Sequence, residues 1–178
     1  TPEPFVCPAD TTHNNDPGSC GAVVTYSIDT PLYCSGGTLT QTAGFASGSI
    51  FPIGTTTNTF EYDDGVNPIQ TCSFDVTVTD IEDPIITCPA NITQDSDPGV
   101  CEALVTFTPT ATDNCTVASI VSVPASGSVF PVGTTTVTVT ATDTAGNTDV
   151  CTFDVTIEDN EAPVVSCPGA ITQDSDPG

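Results

Sequence analysis

The chain has 178 residues, with 23 acidic side chains, no lysine, no arginine and one histidine, giving a formal net charge of −23. Nucleic acids and anionic membrane surfaces are gripped through Lys and Arg, so both are excluded as partners, and no carboxylate can meet a Lys or Arg within the chain. Hydrophobic residues at 37% and clear strand patterning argue against a charged coil, and no signal peptide or apolar run of about 18 residues is present, so any export signal or anchor is expected outside this stretch.

In chain order, Thr12-His13-Asn14-Asn15 reads as a polar turn that leaves His13 at the surface. Leu32-Tyr33-Cys34 follows, then the turn Asp63-Asp64-Gly65-Val66-Asn67-Pro68, and the tyrosines Tyr26, Tyr33 and Tyr62 all fall in this first half. From Thr71 to Thr79 apolar and polar residues alternate as in a half-buried strand, which runs into the acidic joint Asp80-Ile81-Glu82-Asp83-Pro84. Ile85 to Pro89 leaves that joint, Asn91 to Gln94 is a short strand, and Asp95-Ser96-Asp97-Pro98-Gly99 is a turn. Cys101, Ala103, Val105 and Phe107 then share one strand face; a third strand carries Ile120, Val121 and Val123; and Ser126-Gly127-Ser128 turns. The alternation Thr134 to Thr142 points Val137, Val139 and Ala141 inward, and Asp143-Thr144-Ala145-Gly146-Asn147 is a hairpin turn. The closing strand sets Cys151, Phe153, Val155 and Ile157 against Thr152, Asp154, Thr156 and Glu158, then enters a second acidic joint ending at Pro163.

The cysteines reveal an array. Cys7, Cys20, Cys34, Cys72 and Cys88 recur as Cys88, Cys101, Cys115, Cys151 and Cys167 at a period of about 80 residues. Two units, 1–80 and 81–159, are followed by the start of a third at 160–178, where Ala170 to Gly178 nearly copies Asn91 to Gly99. A third unit cut short in this way implies a window from a longer array, which also leaves Cys167 without its partner. Four cysteines per short unit with no close pair read as disulfides in an oxidising compartment rather than a zinc cluster, with three pairings open. Threonine and valine enrichment, short runs and regular turns, with no helical period, give an all-β fold: tandem immunoglobulin-like sandwiches of about seven strands.

Cys88-Pro89-Ala90-Asn91-Ile92, Asp97-Pro98-Gly99-Val100-Cys101, Asp113-Asn114-Cys115, Ser126 to Val137, Asp143 to Asn147 and Cys151 to Val155 together resemble the hyalin repeat (HYR) module. The likeness spans unit two, most of unit one and the start of the third. It implies an extracellular, immunoglobulin-like adhesion module. Its lysine- and arginine-free form resembles the giant surface adhesins of gliding Bacteroidota, exported by the type IX system. Sandwich geometry set beside this favours first-to-third and second-to-fourth pairing: Cys7–Cys34, Cys20–Cys72, Cys88–Cys115 and the core bridge Cys101–Cys151.

In a tandem of such modules the end of one closing strand meets loops of the next domain. Asp80, Glu82 and Asp83 are thus expected to approach Asp113, Asn114 and Asp143, a set of hard oxygen donors suited to calcium and similar in logic to cadherin joints. Glu158, Asp159 and Glu161 form the equivalent half-site. The plainer alternative is that these are turn residues on a solvated surface. Asn91 and Asn114 begin N-glycosylation sequons, and Thr144 lies in a motif resembling the Bacteroidota O-glycosylation site. Nothing resembles a nucleophile elbow, a zinc-protease helix or a buried base, so catalysis is not expected. The sequence therefore describes a stiff stalk segment whose partners are neighbouring repeats and, at a distance, surface polysaccharide or other surface proteins. The rivals are a glycan- or protein-binding module and the accessory repeats of a secreted enzyme.

Overall fold

The computed structural model describes residues 5–30 and 37–173. Cys34 and Tyr33 lie outside them. Among the described residues there is no helix, and the chain folds as two successive β-sandwiches, as the alternation of apolar and polar residues requires.

The first unit comprises β1 (Thr11–Asn14), β2 (Gly21–Val24), β3 (Thr38–Ala43), β4 (Ser49–Pro52), β5 (Gly54–Asp63) and β6 (Gln70–Thr79). They form the sheets β1-β6-β5-β3 and β2-β4. His13 thus sits in β1, not in a turn: it pairs with Val78, because the segment after Asp10 is taken up as an edge strand. The second unit comprises β7 (Ile85–Thr87), β8 (Ile92–Asp95), β9 (Glu102–Val105), β10 (Thr110–Thr112), β11 (Val117–Val123), β12 (Ser128–Pro131), β13 (Gly133–Asp143) and β14 (Thr148–Glu158). Its main sheet runs β11-β13-β14-β8, with β9-β12 and β7-β10 as two-stranded partners.

Within β9, β13 and β14 the side-chain parity read from the sequence is the parity of the fold. Val137, Val139 and Ala141 of β13 and Phe153, Val155 and Ile157 of β14 are buried, and Ala103, Val105 and Phe130 meet most of them from β9 and β12. Phe107 closes this core edge-on to Phe153, with ring centroids 4.9 Å apart. On the opposite face threonines pair across the strands: the Thr136 hydroxyl donates to Asp154 at 2.7 Å, and the Thr134 and Thr156 hydroxyls lie 3.1 Å apart. Threonine enrichment therefore buttresses the outer face.

The disulfides depart from the sequence expectation. Cys7 bonds to Cys72 and Cys88 to Cys151, so the first cysteine of each unit pairs with the fourth. The reason is a parallel strand pair. β1 runs parallel to β6 with Thr11 opposite Val76, and Cys7 and Cys72 each stand four positions ahead of those partners. Ile92 of β8 faces Val155 of β14 in the same way, and Cys88 and Cys151 again stand four positions ahead. Parallel strands advance in step, so equal offsets bring the sulfurs together. The pairings Cys7–Cys34, Cys20–Cys72, Cys88–Cys115 and Cys101–Cys151 are thereby corrected. Cys101 is no core bridge; its side chain is exposed and its thiol free, because the chain turns into β9 only at Glu102.

Candidate functional site

The joint is built where β6 ends. The Asn15 amide donates to the Thr79 carbonyl at 2.9 Å, which extends the β1–β6 ladder by one rung and delivers Asp80 into the interior with 3% of its surface exposed. Asn15, itself buried, accepts from the Ile81 amide at 3.0 Å and donates to the Ser19 carbonyl at 3.1 Å. Gly18, at φ 70°, turns its N–H toward Glu82 and donates to both carboxylate oxygens at 2.9 and 3.0 Å. The first unit thereby rigidifies its own exit.

The second unit docks on that exit through two loops. Asn114 donates through its side-chain amide to the Ser19 carbonyl at 3.1 Å and to Asp80 Oδ1 at 3.3 Å. Asn147 donates to the Asp80 carbonyl at 3.2 Å. A disulfide between Cys20 and Cys115, with Cα atoms 4.8 Å apart, joins the two units covalently.

Three oxygens at this joint are buried without a hydrogen-bond partner: Asp80 Oδ2, Asp113 Oδ2 and Asn114 Oδ1. Donor atoms of Asp80 and Asp113 lie with the Cys115 sulfur in a cluster no wider than 4.8 Å. That sulfur is bound in the disulfide, so oxygen is the chemistry on offer. Leaving buried acceptors unmatched costs roughly 1–3 kcal/mol each, more for charged groups, and the chain has no Lys or Arg to place there. Such a convergence of hard oxygens is what a cation such as Ca²⁺ binds.

The sequence-proposed ligands divide. Asp80, Asp113 and Asn114 come together, as the tandem geometry demands. Glu82 is drawn away to Gly18. Asp83 is exposed on the lip of a cleft of about 460 Å³ that Gly18, Ile85 and Thr112 also line. Asp143 is buried but committed to its own turn: Oδ1 accepts from the Gly146 and Asn147 amides at 2.6 and 2.8 Å, and Oδ2 from the Asn147 side chain at 2.8 Å. Burial alone pushes this carboxyl up, but the hydrogen bonds from the Asn147 side chain and from the turn amides outweigh it and hold it below the ordinary value of 3.8. At the second joint Glu158, Asp159 and Glu161 are all exposed. Asn15, Ser19 and Asn147 were not foreseen; the signal for the first two was Asn14-Asn15-Asp16-Pro17-Gly18, a turn placed to lie beside the closing strand.

Thr144 is exposed at the tip of the β13–β14 turn. Asn91 is exposed but accepts from the Asp154 amide at 3.0 Å, and Asn114 is occupied in the joint.

The HYR domain model matches residues 1–78 and 79–157. Hyalin from Strongylocentrotus purpuratus is 36% identical over 187 aligned residues, which cover 99% of this chain and 15% of that protein. Hyalin from Lytechinus variegatus is 34% identical over 159 residues, 85% of this chain and 30% of that protein. Among solved structures, Drosophila N-cadherin EC1-3 aligns with a TM-score of 0.47 at 14% identity, over 86% of this chain and 64% of that one.

Proposed function

The chain belongs to the HYR domain family, and from that premise we propose that it is a non-catalytic stalk segment of a large extracellular adhesin, whose joint is held rigid by a disulfide and a calcium ion. Its disulfides fit oxidising extracellular surroundings. The observation that carries the reading is that Asp80, Asp113 and Asn114, from two units, each bury an unpartnered oxygen beside the bond that couples those units, with donor atoms of the two aspartates within 4.8 Å of each other. Asp80, Asp113 and Asn114 hold the ion. Calcium takes six to eight oxygens, so these three supply part of its shell, and the ion's charge offsets the repulsion between the two aspartates.

The test is thermal unfolding of the chain in millimolar calcium and in excess chelator. A ligand at a hundredfold excess over its Kd stabilises the folded state by about 2.7 kcal/mol, an upward Tm shift of several degrees. The shift disappears in Asp113→Ala and persists in Glu61→Gln, a change on β5 away from the joint. An equal Tm in calcium and chelator would sink the metal and leave the disulfide as the stiffening element.

A binding module is the second reading. Tyrosine-rich unit one favoured it, yet the described tyrosines turn inward: Tyr62 is buried, and Tyr26 packs edge-on to Phe74 with centroids 5.0 Å apart. A glycan array probed with the two-unit chain separates the readings, since a stalk binds no glycan. The absence of Lys and Arg is what favours a bacterial source within the adhesin reading, a surface array of gliding Bacteroidota, whereas the relatives named above are sea-urchin proteins. The neighbouring coding sequence separates that source, and the secreted-enzyme rival, from the rest.

A further inference from the structure

Cys101 occupies in unit two the position that Cys20 occupies in unit one, the second cysteine of its repeat, and Cys20 is bonded to the third cysteine of the unit that follows it. Cys101 has no such partner here: its thiol is free and exposed. We infer that Cys101 is a docking cysteine, which bonds to the third cysteine of a following HYR unit, presented on an Asp-Asn-Cys-type turn, so that each joint of the array carries a covalent staple between successive units.

The surface around Cys101 is the surface that already receives such a turn one unit earlier. The Ser96 amide donates to the Glu158 carbonyl at 2.8 Å as Asn15 does to Thr79, and the Leu104 amide donates to Asp97 as Val23 does to Asp16. Gly99, at φ 77°, donates to Glu161 at 2.8 Å as Gly18 does to Glu82. The Glu161 amide in turn reaches Asp159 at 3.1 Å, as Glu82 reaches Asp80. At the first joint this arrangement is closed by Cys115 and Asn114. At the second it borders an open cleft of about 530 Å³ lined by Gly99, Cys101, Asp159 and Glu161. Asp80 is buried beneath the docked unit, whereas its counterpart Asp159 is exposed. The second joint is therefore the first without its upper half.

Bond formation is a two-electron oxidation. The Cys101 thiol and the incoming thiol each lose a proton and an electron, one S–S bond forms, and a small-molecule or enzyme disulfide of the oxidising compartment is reduced to two thiols.

The inference rests on the array reading, and one experiment separates the two. Residues 1–163 are continued by a second copy of residues 85–178, which keeps the natural joint through Pro163, and the product is refolded with oxidised glutathione and digested without reduction. The expected result is a peptide linking Cys101 to the Cys115 of the appended copy, with Cys101 protected from maleimide in the extended chain and labelled in the 178-residue chain. Cys101→Ser removes that peptide and leaves Cys20–Cys115 intact. An appended unit that folds while Cys101 is still labelled, or is linked to another cysteine, overturns the staple and spares the array. An appended unit that gains no strand signal overturns the array reading, and the staple with it.

Discussion

Asp143 is the residue on which the closing hairpin turns, since one carboxylate ties together the amides of Gly146 and Asn147. Asp143→Ala strands those donors and is expected to cost about 1–3 kcal/mol, read as a fall in Tm of unit two. Its folded-state pKa lies below the ordinary 3.8, so the stabilisation is whole above that value and is lost as pH falls through the lower, folded-state one. Melting in chelator, followed from about pH 5 down to pH 2, should therefore show a loss in the wild type that Asp143→Asn does not share; parallel curves would contradict the assignment. At this scale the sequence was partly legible. Asp113-Asn114 and Asp143 to Asn147 announce turns by composition, and a closing strand that ends in acid announces a joint. Which oxygens face inward was hidden, because that depends on Asn15, which accepts from the Ile81 amide, and on Asn114 and Asn147, whose side-chain amides reach Asp80 only once both units are in place.

The strands were the most legible elements, because burial on one face imposes a period of two that no loop mimics. Phe153→Ala on β14 opens the core where Phe107 packs and is expected to cost about 3–5 kcal/mol, measured by chemical denaturation. The cysteines were misread for a definite reason. Inward parity at Cys101 suggested a core bridge, but parity describes only residues already inside a strand, and Cys101 stands one position before β9. The parallel pairing of each unit's first strand with its last, which aligns Cys88 with Cys151, leaves no mark on local pattern. Removing that bridge with Cys151→Ala, across a separation of 63 residues, is expected to cost roughly 4 kcal/mol. Cys101→Ala should change stability by less than about 0.5 kcal/mol, so comparing the two midpoints checks the pairing.

For the whole molecule, the bond that matters crosses the joint, from Cys20 of one unit to Cys115 of the next, where no pairing of cysteines within a unit reaches. Cys115→Ser is expected to leave the melting of each unit close to its original value while letting the two tumble independently; nuclear spin relaxation that still reports one common correlation time would show that the hydrogen bonds suffice. The bridges also decide how the molecule answers a pull along its length. Tension entering near Cys7 crosses to Cys72 through sulfur, runs along the backbone to Cys88, and crosses again to Cys151, so the intervening segments, spanning 65 and 63 residues, carry no load even if their strands come apart. Each segment withholds roughly 200 Å of contour length that an uncrosslinked sandwich would release on rupture. Under such a pull the chain would keep a nearly fixed reach, passing force along its length instead of absorbing it by unravelling.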